Sequence, residues 1–137
     1  MSRKFIILRT SESYPTRHIG IDLETAEEIL DLLENNPKYR DKYDYISSRI
    51  LENANMYYED GYSVVDKSNP GIRITEMRFF PNGDNCRIYC REFSFAGNMF
   101  CIIMAKLLPK KKPSGKIDKA IKQIINSIKE YDYELGR

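Results

Sequence analysis

Three cations, Arg78, Arg87 and Lys106, stand on or at the ends of successive strand-like runs, Ile72 to Phe80, Cys86 to Phe93 and Met99 to Ala105. If those strands are neighbours, one cleft can gather all three side chains. Arginine grips a phosphate through two parallel hydrogen bonds, and a lysine crowded by other cations has its pKa lowered enough to serve as a base. Phosphate contact is a chemistry these residue types can support. Beyond Lys106, the run Lys110, Lys111, Lys112 adds a compact block of charge suited to a nucleic-acid backbone. Arg91 shares a strand face with Arg87, and Tyr89 between them is able to stack on a base. Each has a plainer alternative: a solvated strand face with cross-strand pairs to Glu76 or Glu92, a solvated lysine loop, a tyrosine that packs on the sheet.

The distribution of charge favours the first reading. Residues 71–122 carry eleven Lys or Arg against four Asp or Glu, while residues 1–70 carry nine against thirteen. The net charge of +2 thus hides a basic C-terminal half on an acidic N-terminal half. Such asymmetry points to a polyanionic partner, most simply nucleic acid.

A length of 137 residues suits one domain, 1–137, with a single sizeable core. With 42% apolar and 31% charged residues the composition is globular. No apolar run approaches the roughly 20 residues that cross a bilayer, and Phe5 to Leu8 is too short for the apolar part of a signal peptide, so a cytoplasmic protein without membrane contact is expected. Cys86, Cys90 and Cys101 fall inside strand-like runs; their odd count argues against a disulfide framework and their spacing matches no standard zinc pattern. Buried thiols are expected, with no metal and no cofactor. His18, in a polar stretch, is given no role.

The elements that must position these residues follow from periodicity. Lys4 to Arg9 reads as a strand, and Thr10 to Gly20, with Pro15, as a polar connection. Leu23, Ala26, Ile29, Leu30 and Leu33 predict an amphipathic helix capped by Asp22 and ending near Asn35. Asn36-Pro37 opens a second helix that carries Tyr39, Tyr43, Ile46 and Ile50 toward Asp60-Gly61, so the two helices form a hairpin. Tyr62 to Pro70 reads as a loop or weak extended piece. Then come three strands in an antiparallel meander, with turns at Pro81 to Asn85 and Ala96 to Asn98 and the most buried strand last. Ser114 caps a closing helix with Ile117, Ile121, Ile125 and Ile128 on its apolar stripe. The expected fold is α+β: a small, mainly antiparallel sheet with an N-terminal helical hairpin and a C-terminal helix, the helices on one face.

Several of these segments carry a family likeness. Ile74 to Arg78 (ITEMR), Cys86-Arg87-Ile88-Tyr89, the apolar strand ending Met104-Ala105-Lys106, Lys110 to Pro113 and Ile117 to Ala120 together resemble the RelE/HigB-like toxins of bacterial type II toxin-antitoxin pairs, in the RelE/ParE superfamily. The resemblance implies a RelE/ParE-like fold and a metal-independent endoribonuclease that cuts messenger RNA on the ribosome through attack of a ribose 2′-hydroxyl on the adjacent phosphate. It implies catalytic roles for Arg78, Arg87 and Lys106, RNA contacts by Arg91, Lys110, Lys111, Lys112 and Tyr89, and an antitoxin protein as partner. Tyr131 and Tyr133 fall where several members keep an active-site aromatic. Met104 or Ala105 stands where the HigB branch commonly has a histidine. The alternatives are a ParE-like inhibitor of gyrase and a binding protein without catalysis.

Overall fold

The computed structural model describes residues 2–53, 61–68, 71–81, 83–95, 97–109 and 119–136. Along them run β1 (Ser2–Thr10), β2 (Arg17–Asp22), α1 (Ala26–Asn35), α2 (Pro37–Glu52), β3 (Tyr62–Asp66), β4 (Arg73–Phe79), β5 (Cys86–Phe95), β6 (Met99–Leu108), α3 (Lys119–Lys129) and β7 (Asp132–Leu135). All the described strands join one sheet in the order β3-β4-β5-β6-β2-β1-β7. β3 to β6 form an antiparallel meander and β1 pairs antiparallel with β2. Two parallel pairings, β2 with β6 and β1 with β7, make the sheet mixed.

The small, mainly antiparallel sheet of the RelE/ParE-like expectation is thereby overturned. Seven strands replace four, two strands rather than one precede the helical pair, and β2 separates β1 from the meander. β2 escaped the sequence reading because Arg17, His18, Gly20 and Asp22 make it look like a polar connection. In the fold each polar side chain has at least one tertiary partner: Arg17 donates to the carbonyls of Ile50 and Leu51 at the end of α2, His18 Nδ1 shares a hydrogen bond with Thr10, and Asp22 accepts from Arg3 and Tyr133. Partners of this kind let polar residues sit inside a sheet. Gly20 has a steric reason to be glycine, since an added Cβ would lie 2.8 Å from Cys101 Sγ and 3.0 Å from the carbonyl of Ile6.

Helices cover both faces, not one. Ile29 and Leu33 of α1 and Tyr39, Tyr43, Ile46 and Ile50 of α2 pack on Met77, Phe79, Ile88, Cys90 and Met104. On the opposite face Ile121, Ile125 and Ile128 of α3 pack on Ile74, Tyr89 and Ala105. Each isoleucine so enclosed contributes about 1.5–3 kcal/mol relative to an exposed one. β6 lies fourth of the seven strands and is buried from Cys101 to Ala105, as its unbroken apolar run requires. No helix among the described residues is long and apolar enough to cross a membrane.

α1 begins at Ala26, later than its apolar stripe suggests, and Leu23 is exposed. Asp22 closes the preceding turn instead of capping the helix, accepting from the backbone N–H of Glu24 at 2.8 Å. Thr25, at the cap position, spends its hydroxyl on the carbonyl of Ala105. α2 starts at Pro37 as Asn36-Pro37 indicates and is described to Glu52. The helix cap at Ser114 and Ile117 fall outside the described residues.

Candidate nucleic-acid interface

Register decides which cations meet. β4 and β5 place Arg78 directly opposite Arg87, and β6 places Leu108 opposite Arg87 and Lys106 opposite Tyr89. Strand alternation then puts Arg78, Arg87, Glu76, Tyr89, Arg91 and Lys106 on the α3 face of the sheet. Lys106 is a diagonal neighbour of Arg87, one strand across and one row further in.

Arg78 and Arg87 line one open hollow of about 260 Å³ with Lys42, Gly61 and Pro81. Gly61 fits there because its φ of +96° suits glycine, and its carbonyl accepts from the backbone N–H of Arg78 at 2.7 Å. An added Cβ would meet Ile46 Cδ1 at 3.0 Å and the Arg78 carbonyl at 3.1 Å. The two arginines differ in freedom. Arg87 is 7% exposed and donates to Glu76 Oε1 at 3.0 Å and to Asn85 Oδ1 at 2.7 Å, so Glu76 cancels its charge. Arg78 is half-buried and makes no ion pair with a described residue. Lys42 on α2 is likewise half-buried. Among the described residues, then, two cations line the hollow without an ion-pair partner, beside one already balanced by Glu76.

The sequence-derived residues are otherwise dispersed. Lys106 lines a separate hollow of about 410 Å³ with Thr25, Gln123, Ser127 and Tyr131 beside α3, and its ammonium lies 4.0 Å from Glu28. Both partners are about half exposed, so this contact is weak. Tyr89 is 1% exposed and packs under α3. Arg91 is also enclosed: it donates to the carbonyls of Ile128, at 3.3 Å, and Tyr131, closing the C-terminal end of α3. Lys110, Lys111 and Lys112 lie outside the described residues; they follow Pro109, just past the strand end that pairs with Arg87.

Tyr131 and Tyr133 serve a different cluster. Asp22, fully buried, accepts from Arg3 Nε and from the Tyr133 hydroxyl, each at 2.7 Å, and the Arg3 guanidinium lies 4.0 Å above the Tyr131 ring. Burial pushes the Tyr133 hydroxyl well above the usual tyrosine range, and its bond to Asp22 adds to the shift. This clasp ties β7 and β1 to β2. The cysteines are sealed: Cys86 and Cys90 belong to the core under α1 and α2, Cys101 to a cluster on the other face with Phe5, Ile103 and Tyr133. Burial raises the Cys86 thiol to about 11 and that of Cys101 to about 12, so both remain protonated near neutrality. Among the described residues no group of three or more His, Cys, Asp or Glu is placed to hold a metal ion.

Residues the sequence reading passed over extend the basic hollow. Phe80 follows Arg78 and Phe79, and Lys38, Asp41, Lys42, Tyr45 and Phe80 line an adjoining hollow of about 470 Å³ that shares Lys42 with the first. The Lys38 ammonium lies 4.4 Å from the Phe80 ring, while Lys42 and Arg49 approach the Tyr45 ring at 5.3 and 5.4 Å. Phe80 is held in the left-handed region with φ 51°, a conformation that costs a bulky residue of order 1–3 kcal/mol. The turn enforces it, because the Phe80 carbonyl accepts from the backbone N–H groups of Gly83 and Asn85 at 2.8 and 3.1 Å. Tyr39 anchors the same turn to α2, its hydroxyl donating to Asp84 at 2.9 Å and its ring meeting Phe80 edge-on at 5.3 Å. Burial, then Asp84, raise that hydroxyl to about 12. A signal for this surface was present: Lys38, Lys42, Tyr45 and Arg49 recur at steps of four, three and four, one face of a helix.

Comparison with protein-family models, with curated proteins and with solved structures returns no match for this chain.

Proposed function

We propose that this protein binds RNA at the end of the sheet where Lys42, Arg78 and Arg87 line one hollow. The carrying observation is the direct pairing of Arg78 with Arg87 beside Lys42, an open cluster of cations at the strand end from which the chain continues to Lys110, Lys111 and Lys112. Arg78 and Lys42 supply phosphate contacts, and the Glu76-bound Arg87 gives the floor of the hollow a fixed set of donors. The proposal rests on these charges and their placement; it carries no claim about a RelE/ParE-like fold.

The finer form of the proposal comes from the family resemblance. In it the RNA is messenger RNA on the ribosome, cleaved in the cytoplasm by 2′-hydroxyl attack on the adjacent phosphate, with Arg78 and Arg87 stabilising the charge that develops; Lys106, the third residue the resemblance implies, lines a separate hollow and is given no proton-transfer step. A small antitoxin protein would cover the basic end. Purified protein incubated with messenger RNA, with and without ribosomes, tests both levels once RNA ends are mapped. New ends that need ribosomes and disappear in Arg78→Ala support the finer form, whereas bound but intact RNA leaves binding alone. No RNA binding together with falling gyrase activity would favour the protein-contact rival.

A further inference from the structure

The hollow beside the basic cluster has the wrong composition for a phosphate site and the right one for a base. Phe80 and Tyr45 offer two ring surfaces, Lys38 and Lys42 flank them, and Asp41 is the acidic residue in the lining. Tyr45 is 43% exposed, a large aromatic left open on the face of α2 opposite its buried stripe of Tyr39, Tyr43, Ile46 and Ile50. Phe80 packs part of its ring against the core and Tyr39, and leaves the rest to the hollow. Its backbone is strained, yet its ring is only half-buried and carries an ammonium over it rather than a methyl group. Strain of this kind collects at positions whose geometry is used.

Continuity fixes the occupant. Lys42 lines both hollows, and Phe80 and Pro81, adjacent in sequence, line one each. A strand whose phosphates lie on Arg78 and Lys42 therefore delivers its next base to Phe80 and Tyr45. Only an unpaired base exposes a ring face to stack there, because in a duplex the faces are taken by neighbouring bases. We infer that the Lys38–Lys42–Tyr45–Phe80 hollow is a stacking subsite for an unpaired base, so that the protein takes single-stranded rather than double-helical RNA. This deepens the RNA-binding reading above and rests on it. In the free protein Lys38 covers Phe80, and an arriving base exchanges that contact for ring stacking while the ammonium moves to a phosphate.

The test uses the full chain with a single-stranded RNA of about twelve nucleotides carrying 2-aminopurine, and a duplex of the same sequence. Stacking is worth about 1–3 kcal/mol per base, or roughly a 5- to 150-fold change in affinity. Wild type should bind the single strand at least tenfold more tightly than the duplex and quench the 2-aminopurine. Tyr45→Ala, a change at an exposed position that leaves the fold intact, should lose at least fivefold toward the single strand and nothing toward the duplex. Phe80→Leu should lose the quench. Tyr14→Ala, an exposed tyrosine on the β1–β2 connection, should alter neither. Equal binding of single strand and duplex, with Tyr45→Ala changing neither, would overturn the subsite while leaving the basic cluster as an RNA contact. Absence of binding to both would remove the RNA reading and the subsite together.

Discussion

The same face of the same sheet treats its arginines in two opposite ways. At the β4–β5 turn Arg78 opens into a hollow with Lys42, whereas four residues into β5 from Arg87, Arg91 is enclosed beneath α3 with its guanidinium on two carbonyl oxygens. Alternation along the strands brings both to one face; what separates them is cover. Ile121, Ile125 and Ile128 of α3 lie across the rows of Ile74, Tyr89 and Ala105, and the row of Arg78 and Arg87 is where the hollow opens. A cation on a strand is thus a candidate contact only where no helix crosses its row. Arg87 stands at the boundary, in the hollow's wall yet paired by Glu76.

That boundary position makes the Glu76–Arg87 pair the most sensitive place to break the contrast. Glu76→Ala strands a buried guanidinium and should destabilise the protein by about 3–5 kcal/mol, read as a lower urea midpoint; Arg87→Ala should cost a similar amount. Replacing both by Met should recover most of the loss. A cost below about 1 kcal/mol for Glu76→Ala would mean that Arg87 is as open as Arg78. Arg91→Ala should cost about 1–3 kcal/mol by leaving the carbonyls of Ile128 and Tyr131 without their donor, with no change in RNA affinity. Gly61→Ala should cost a comparable 1–3 kcal/mol, roughly, through its positive φ and its contact with Ile46, and should weaken RNA binding as well because the backbone of Arg78 hangs on Gly61. Weakened RNA binding in Arg91→Ala, or unaltered binding in Gly61→Ala, would erase the distinction between the two regions.

The smallest effect is a pH dependence centred on β2. Burial lowers the pKa of His18, so the folded protein takes up a proton on this ring less readily than the unfolded chain, whose imidazole titrates near pH 6.5. The unfolded state then binds more protons as pH falls, and stability present above that pH is lost below it. Urea midpoints at about pH 7.5 and about pH 5.5 should drop in wild type and drop less in His18→Gln. An equal drop in both would place the titration elsewhere.

The β4–β6 part of the meander and the two N-terminal helices were legible because their signals are local, whereas β3 lies where the sequence reads as a loop or weak extended piece. The turn residues Pro81 to Asn85 and the stripe of Tyr39, Tyr43, Ile46 and Ile50 speak for themselves. β2 was not, since its buried polar residues depend on groups distant in the chain, from Arg3 to Tyr133. β7 is four residues long and is held by pairing with β1 rather than by any pattern of its own. The missing strands are what turn a small antiparallel sheet into a mixed one of seven. At the site, residue type, strand position and the family resemblance singled out Arg78, Arg87, Arg91 and Tyr89 together; the position of α3 separates them, and no sequence period reports which rows a helix on another segment covers. Phe80 was hidden for a further reason, because a positive φ at a phenylalanine has no signature in composition.

The salt dependence of RNA affinity tests the central claim most directly. For wild type, log affinity should fall linearly with log salt between about 50 and 200 mM, and each phosphate contact removed from a single strand should flatten the slope by about 0.7. Arg78→Ala and Lys42→Ala should each bind more weakly with a slope flatter by that amount, at a stability within about 0.5 kcal/mol of wild type. Arg91→Ala should keep the wild-type slope. Identical slopes for Arg78→Ala, Lys42→Ala and wild type would contradict the account, because the hollow at the turn end of the sheet would then carry no more phosphate than the enclosed arginine beneath α3.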